Sequence, residues 1–237
     1  ILVVAGDVPP EEVRVLAEEH YGTIAPTGTA HGKRKWQSVM PLSETQELVY
    51  SDPKVRQPGW SRYYSGTSES RDRQKAYALD VGLEILGGSM TSRLYQALVE
   101  QQSVAISVNT YAFTTLHDEG PAIISASPAP GVSMEELETA VMAEIETALT
   151  EGFTDAEVER ARNKLAASAI YARDSQTSLA NVFGSTLALG GSVDDVLNYP
   201  DDIRAITTEQ AISAVREVFA PDKNYIEAHL LPAEGDE

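Results

Sequence analysis

Cysteine is absent from this sequence, which excludes disulfides, thiolate metal sites and a cysteine nucleophile. It does not fix the compartment, because cysteine-free proteins occur in reducing and oxidising places alike. Long apolar runs are missing as well, since none approaches the roughly 20 residues that a membrane-spanning helix needs. Basic residues are scarce, 18 against 36 acidic ones, for a net charge of −18. Such a field repels phosphate backbones and anionic lipid, so nucleic acid and membrane insertion are not expected, whereas basic peptides or proteins are attracted. No G-x-S-x-G elbow, phosphate loop or dinucleotide fingerprint occurs either, which removes the common signatures of esterase and nucleotide chemistry.

The four histidines, His20, His31, His117 and His229, never stand three or four residues apart, so a helical metal pair is excluded. Glu19-His20 imitates the end of an H-x-x-E-H zinc motif, but Leu16 occupies the place of its first histidine. Paired carboxylates such as Glu11-Glu12, Glu135-Glu136 and Asp194-Asp195 sit at helix starts, where the helix dipole favours them. They carry no catalytic implication by themselves.

What is present is enough for a domain. The chain has 237 residues, 42% hydrophobic and 23% charged, which suits one large globular domain or one domain plus a piece of another. It opens with ILVVAGDV, a strand-type run, followed by Pro9-Pro10 and the helical stripe Val13, Leu16, Ala17, Tyr21. A natural chain seldom begins in mid-strand, so this is expected to be a fragment of a longer protein, with any signal peptide upstream. Residues 23–43 lose all periodicity around Lys33-Arg34-Lys35 and read as a linker.

Beyond the linker, strands are predicted over 47–51 and 60–67 and helices over 72–86 and 92–101. A hairpin follows over 104–113 and 121–127. In its first strand Val104, Ile106 and Val108 share one face, and Ser107, Asn109 and Tyr111 the other. Capping boxes at Ser133/Glu136 and Thr154/Glu157 start two long helices. Further helices are predicted over 178–189, over 192–199 (stopped before Pro200) and over 208–219, then a strand over 225–231. Strands adjacent in sequence, with helices in blocks, predict an α+β fold in which an antiparallel sheet carries helices on one face. The closing FAPDKNYIEAHLLP resembles the opening run. Residues 1–22 therefore read as the strand and helix ending a preceding homologous half, 23–43 as the linker, and 44–237 as a complete second domain.

The stretch LGGSMTSRLYQALVEQQSVAISV contains a helix end at Gly87-Gly88, then Ser92-Arg93-Leu94, a helix and a strand. Gly87-Gly88 follows a helix rather than a strand, so it reads as a helix stop and not as a phosphate loop. This block resembles the non-catalytic C-terminal half of the insulinase/pitrilysin/mitochondrial-processing-peptidase family of zinc metallopeptidases. RQKAYALDVGLEILGG before it and the two terminal segments support the likeness.

The resemblance implies two similar α+β domains that face another such pair across a chamber. It implies a zinc ion bound upstream of Ile1, none within this chain, and no catalysis by this chain alone. It further implies an Arg and a Tyr seven residues apart after the SRL motif, donating to the substrate carbonyl as charge develops there. Those positions are Val99 and Ile106 here, and neither side chain can donate a hydrogen bond. Two expectations follow from that divergence. Either a homologous partner subunit lends the pair while this domain helps hold a peptide or unfolded polypeptide, or the protein is a catalytically dead scaffold. An acidic α+β module that binds a basic protein is the alternative outside the family.

Overall fold

In a computed structural model, which describes residues 1–25, 40 and 42–233, the apolar periodicities resolve into a sheet and a set of helices. The chain order begins with α1 (Pro10–Tyr21), β1 (Gln46–Asp52), β2 (Gly59–Ser65) and α2 (Glu69–Gly87). A π-helix (Tyr95–Gln101) leads into the hairpin β3 (Ala105–Ala112) and β4 (Pro121–Pro128). Then come α3 (Met134–Glu151), α4 (Asp155–Tyr171), a 3₁₀ turn (Ala172–Asp174) and α5 (Gln176–Ala188). The chain finishes with α6 (Val193–Ala205), α7 (Thr208–Val218) and β5 (Tyr225–Pro232).

The strands form one sheet in the order β1-β5-β2-β4-β3. Its pairs are antiparallel except β1 with β5, which run parallel. The expected α+β sheet is therefore present with one departure: a parallel pair needs a long connection, and here the rest of the domain supplies it. Alternation along the strands turns Trp60, Arg62 and Tyr64 towards the helices, level with Ala126, Ile124 and Ala122 of β4. Ser61, Tyr63, Ser125, Ser107, Asn109 and Tyr111 lie on the opposite face.

Helix α2 is the centre of the core, with Leu79, Val81 and Leu86 fully buried. Two glycines allow its neighbours to come this close. A Cβ at Gly82 would stand 2.3 Å from the Val215 side chain of α7, and one at Gly87 would stand 2.7 Å from the Thr110 backbone nitrogen of β3. The Oγ1 of Thr110 donates to the Leu83 carbonyl at 2.7 Å, which fastens that junction. The capping box expected at Thr154 is complete, and Ser133 caps α3 by accepting from the Glu136 N–H.

Several local expectations fail for definable reasons. Residues 1–5 form no strand and are exposed, because a strand needs a neighbouring strand to pair with and the five-stranded sheet offers them none. Ile106 does not share a face with Val108: Ala105 pairs with Pro128 and Ser107 with Ser127, so Ile106 is the extra residue of a β-bulge. It is 46% exposed while Val108 is buried. Helix α6 runs through Pro200 to Ala205, where burial of Pro200 and of Ile203 a turn later carries the helix past the missing N–H donor. Gly87-Gly88 does end α2, but Gly88 keeps a right-handed φ of −76°. The close approach to Thr110, not a left-handed turn, is what requires glycine there. The linker expectation, with His31 and Lys33-Arg34-Lys35, falls almost wholly on 26–39 and 41, outside the described residues.

Candidate functional site

Between Arg93 and Val108 the backbone is irregular three times in succession. The segment Tyr95–Gln101 is π-helical, with the Gln102 N–H donating to the Ala97 carbonyl five residues back. Ser103 follows with φ of +55°, a left-handed conformation uncommon for a residue with a side chain. The bulge at Ile106 comes next. Such features persist only where the surroundings hold them, and they gather at functional positions.

Two anchors hold this segment. Leu94 and Leu98 are fully buried. Arg93 grips Glu157 with two hydrogen bonds, Nε to Oε1 at 2.6 Å and Nη2 to Oε2 at 2.8 Å. Its Nη2 also donates to the Gly152 carbonyl at 2.9 Å, and the guanidinium lies over the Phe153 ring. Arg93 therefore ties the π-helix to the α3–α4 junction. The hydrogen bonds from Arg93, with the Thr154 backbone and hydroxyl, overcome burial and bring the Glu157 carboxyl down to about 2. Ser92 is buried with no partner for its hydroxyl among the described residues. Of the two positions where a donor pair was looked for, Val99 packs half-buried against the core and Ile106 projects from the bulge. Both side chains are apolar, and neither can donate a hydrogen bond.

Two groupings emerge that sequence reasoning missed. The first lies where β2 meets β5. Glu227 Oε1 accepts from Arg62 Nε at 2.6 Å and from Trp60 Nε1 at 2.8 Å. Glu138 of α3 accepts from Arg62 Nη2, and His229 Nε2 stands 3.8 Å from Glu227 Oε2 with no hydrogen-bond partner among the described residues. Glu138, Glu227 and His229 converge closely enough to hold a metal ion. Burial and the neighbouring Glu227 raise the Glu138 carboxyl, whereas hydrogen bonds from Arg62 and Trp60 outweigh burial and lower that of Glu227. The donor set does not suit a divalent cation, because the Arg62 guanidinium already binds both carboxylates and would face the ion at close range. The cluster is an internal ion pair. Its signal was the alternation of Tyr225, Glu227 and His229 on one face of an apolar strand.

The second grouping surrounds a cavity of about 260 Å³ between α2 and α5. Asp80 of α2 reaches it and accepts a hydrogen bond from Thr114 Oγ1 at 3.2 Å. Burial pushes that carboxyl up to about 7. The signal for it was an acid lodged between Leu79 and Val81 on the apolar C-terminal part of α2.

The comparison with known proteins then separates family from activity. The model of the peptidase M16 inactive domain matches residues 1–165. The chain belongs to that inactive-domain family. Among curated relatives of this inactive domain, the zinc protease YmxG of Bacillus subtilis is 24% identical over 225 residues, covering 94% of this chain and 52% of YmxG. A Helicobacter pylori protease structure superimposes with a TM-score of 0.83 at 18% identity, over 96% of this chain and 54% of that one. The structure of a peptidase M16 inactive domain from Pseudomonas fluorescens gives 0.76 at 18% identity, over 98% and 53%. The inactive-domain chain thus spans about half the length of these relatives.

Proposed function

We propose that this domain is the non-catalytic C-terminal half of a zinc metallopeptidase, forming one wall of a chamber and helping to hold a peptide substrate. The zinc and its activated water belong to a half encoded upstream, and a homologous partner subunit lends the Arg and Tyr that stabilise the oxyanion. The domain boundaries at 22 and 43 are part of the same proposal: the exposed 1–5 segment completes a sheet in the upstream half. The observation that carries this reading is the combination at Tyr95–Ser107 of an irregular backbone with apolar side chains at Val99 and Ile106. The shape that presents side chains outward is there, and the donors are not. The match to an inactive domain and the half-length coverage of relatives called zinc proteases support it.

Chemically, this half contributes position rather than polarisation. β3 is an edge strand whose far side is unpaired among the described residues, so an extended peptide can add to it through main-chain hydrogen bonds. The adjoining face, with Ser107, Asn109, Tyr111 and Ser125, supplies hydroxyl and amide groups suited to a peptide. The zinc of the upstream half would supply the Lewis acid and the activated water, while this half would hold the peptide in place.

The test uses the full-length protein with any co-purifying partner, assayed on a fluorogenic peptide. Chelator-sensitive cleavage is expected, with Val99→Ala and Ile106→Ala each within about twofold of the parent in kcat/KM. A loss of about 10²-fold or more, the usual cost of removing a true oxyanion donor, would overturn the silence assigned to these positions. Zinc-dependent cleavage by this chain alone would overturn the whole reading.

A further inference from the structure

The cavity beneath α5 is a different site from the sheet face and edge described above. Helix α5 packs on α6 and the 3₁₀ turn, while the space between it and α2 stays open as the cavity. None of the residues of α5 is fully buried, although Leu179 and Val182 line the space. The walls combine an apolar body with a few convergent polar groups. Tyr77 and Tyr199 meet edge to face at 5.0 Å, beside Ala169 and Ala172. Asp80 projects from α2, and Thr114 is its only hydrogen-bond partner among the described residues. Glu69, on the same side, accepts from Thr115 Oγ1 at 3.0 Å.

The charges facing Asp80 are unbalanced. From α2 itself come Glu69, Tyr77 and Arg73; from α6, Asp195 and Tyr199; from the 3₁₀ turn, Arg173. Helices α4 and α5 add only Ala169, Leu179, Val182, Ser185 and Thr186. Arg73 is paired with the Asp195 carboxylate through both terminal nitrogens, and Arg173 donates to the Leu197 carbonyl and keeps its charge, so the acids outnumber the cations by three to two. Asp80 is left without a cationic partner among the described residues, whereas Glu69 feels the charge of Arg73. A carboxyl withdrawn from water with one hydroxyl donor is unfavourable when ionised, and a compact cation in the cavity would relieve that cost. Two aromatic rings, alkyl walls and an acid at one end form the pattern that recognises an alkylammonium group.

We propose that this cavity binds a small aliphatic amine, the ammonium against Asp80 and Glu69 and the alkyl chain between Tyr77, Tyr199 and Leu179. The ammonium is a three-donor group, and the two carboxylates with the Thr114 hydroxyl offer it acceptors. Lysine side chains carry the same chemistry, so a free amine and a lysine-bearing peptide are the two sources to separate. The proposal is independent of the peptidase reading, because none of these residues lies on the sheet face or the β3 edge.

The experiment is an NMR titration of this chain with n-butylammonium chloride at pH 8, with 1-pentanol as an uncharged probe one heavy atom longer. We expect saturable shifts of the Thr114, Thr115, Leu179 and Val182 amides, with a dissociation constant on the order of 1 mM for so small a ligand. Binding should weaken at least tenfold in Asp80→Asn, at pH 5.5, and with 1-pentanol. Val182→Trp, which enters the cavity from α5 without touching Asp80, should abolish it and serves if Asp80→Asn fails to fold. Nα-acetyl-lysine methylamide binding as tightly as butylammonium would assign the site to lysine side chains; binding at least tenfold weaker would assign it to free amines. Shifts scattered over the acidic surface and erased by 0.5 M salt, or equal affinity for pentanol, would overturn the proposal and leave a water-filled cavity.

Discussion

Glu157 and Asp80 are both acidic residues on helices of one small domain, yet their carboxyls are driven in opposite directions, to about 2 and about 7. Burial opposes ionisation in both. The difference is the partner. Glu157 meets a bidentate guanidinium and the N–H of its own helix cap, whereas Asp80 meets one hydroxyl. A carboxylate with a charged fork and a cap is a fastener. One left beside a cavity costs stability at neutral pH, and such cost is retained where a site is in use.

The comparison can be broken most forcefully at Asp80. Its ordinary value of 3.8 rises to about 7 in the folded domain, so between these values the unfolded chain is ionised while the folded one keeps its proton. Stability therefore falls as pH rises across that window, by roughly 4 kcal/mol at most. Asp80→Asn should remove this slope, so urea unfolding midpoints of parent and variant should coincide near pH 4 and diverge in the variant's favour by pH 8. Parallel curves would show that Asp80 is not buried as described.

Next in size is the opposite residue pair. Arg93→Ala leaves Glu157 partly buried without its cation, and a loss of about 2–3 kcal/mol is expected at pH 7, below the cost for fully buried pairs because both side chains retain some exposure. The contribution of Glu157 is present above its ordinary value of 4.5 and is lost as pH falls towards 2. The variant's deficit should accordingly shrink in acid, which thermal melts at pH 7 and pH 3 would show. Thr114→Val is the smallest change. Without its hydrogen bond Asp80 should titrate at still higher pH, with a further loss of about 1 kcal/mol at pH 8 and none near pH 4.

Much of the fold could be read from periodicity. The two hydroxyl caps at Ser133 and Thr154, the hairpin, and the stripe of α2 appear where apolar spacing and capping chemistry put them, because these are local interactions within a few residues. The N-terminus of α2 is instructive. The predicted start at Asp72 coincides with a break in the helical backbone, where Asp72 Oδ1 caps the Lys75 N–H at 3.0 Å, while one turn from Glu69 precedes it. What periodicity could not reveal were the bulge at Ile106, the positive φ at Ser103 and the passage of α6 through Pro200. None of these follows from apolar spacing alone. The candidate sites divide in the same way. The absence of donors at Val99 and Ile106 is a property of residue type and was plain in the sequence, but the Arg62 cluster and the Asp80 cavity assemble from three or more separated elements.

By itself, then, the sequence determined most element types, the acidic field, the lack of any cysteine or helical histidine pair, and the apolar side chains at Val99 and Ile106, since residue identity and short-range spacing suffice for each. Only the tertiary structure decided that Arg93 fastens the π-helix to Glu157, that Gly87 is glycine because Thr110 lies against it, and that Asp80 meets Glu69 and Asp195 around a cavity. Those outcomes depend on which residues, far apart in the chain, are brought within a few ångströms, and long-range packing sets that distance.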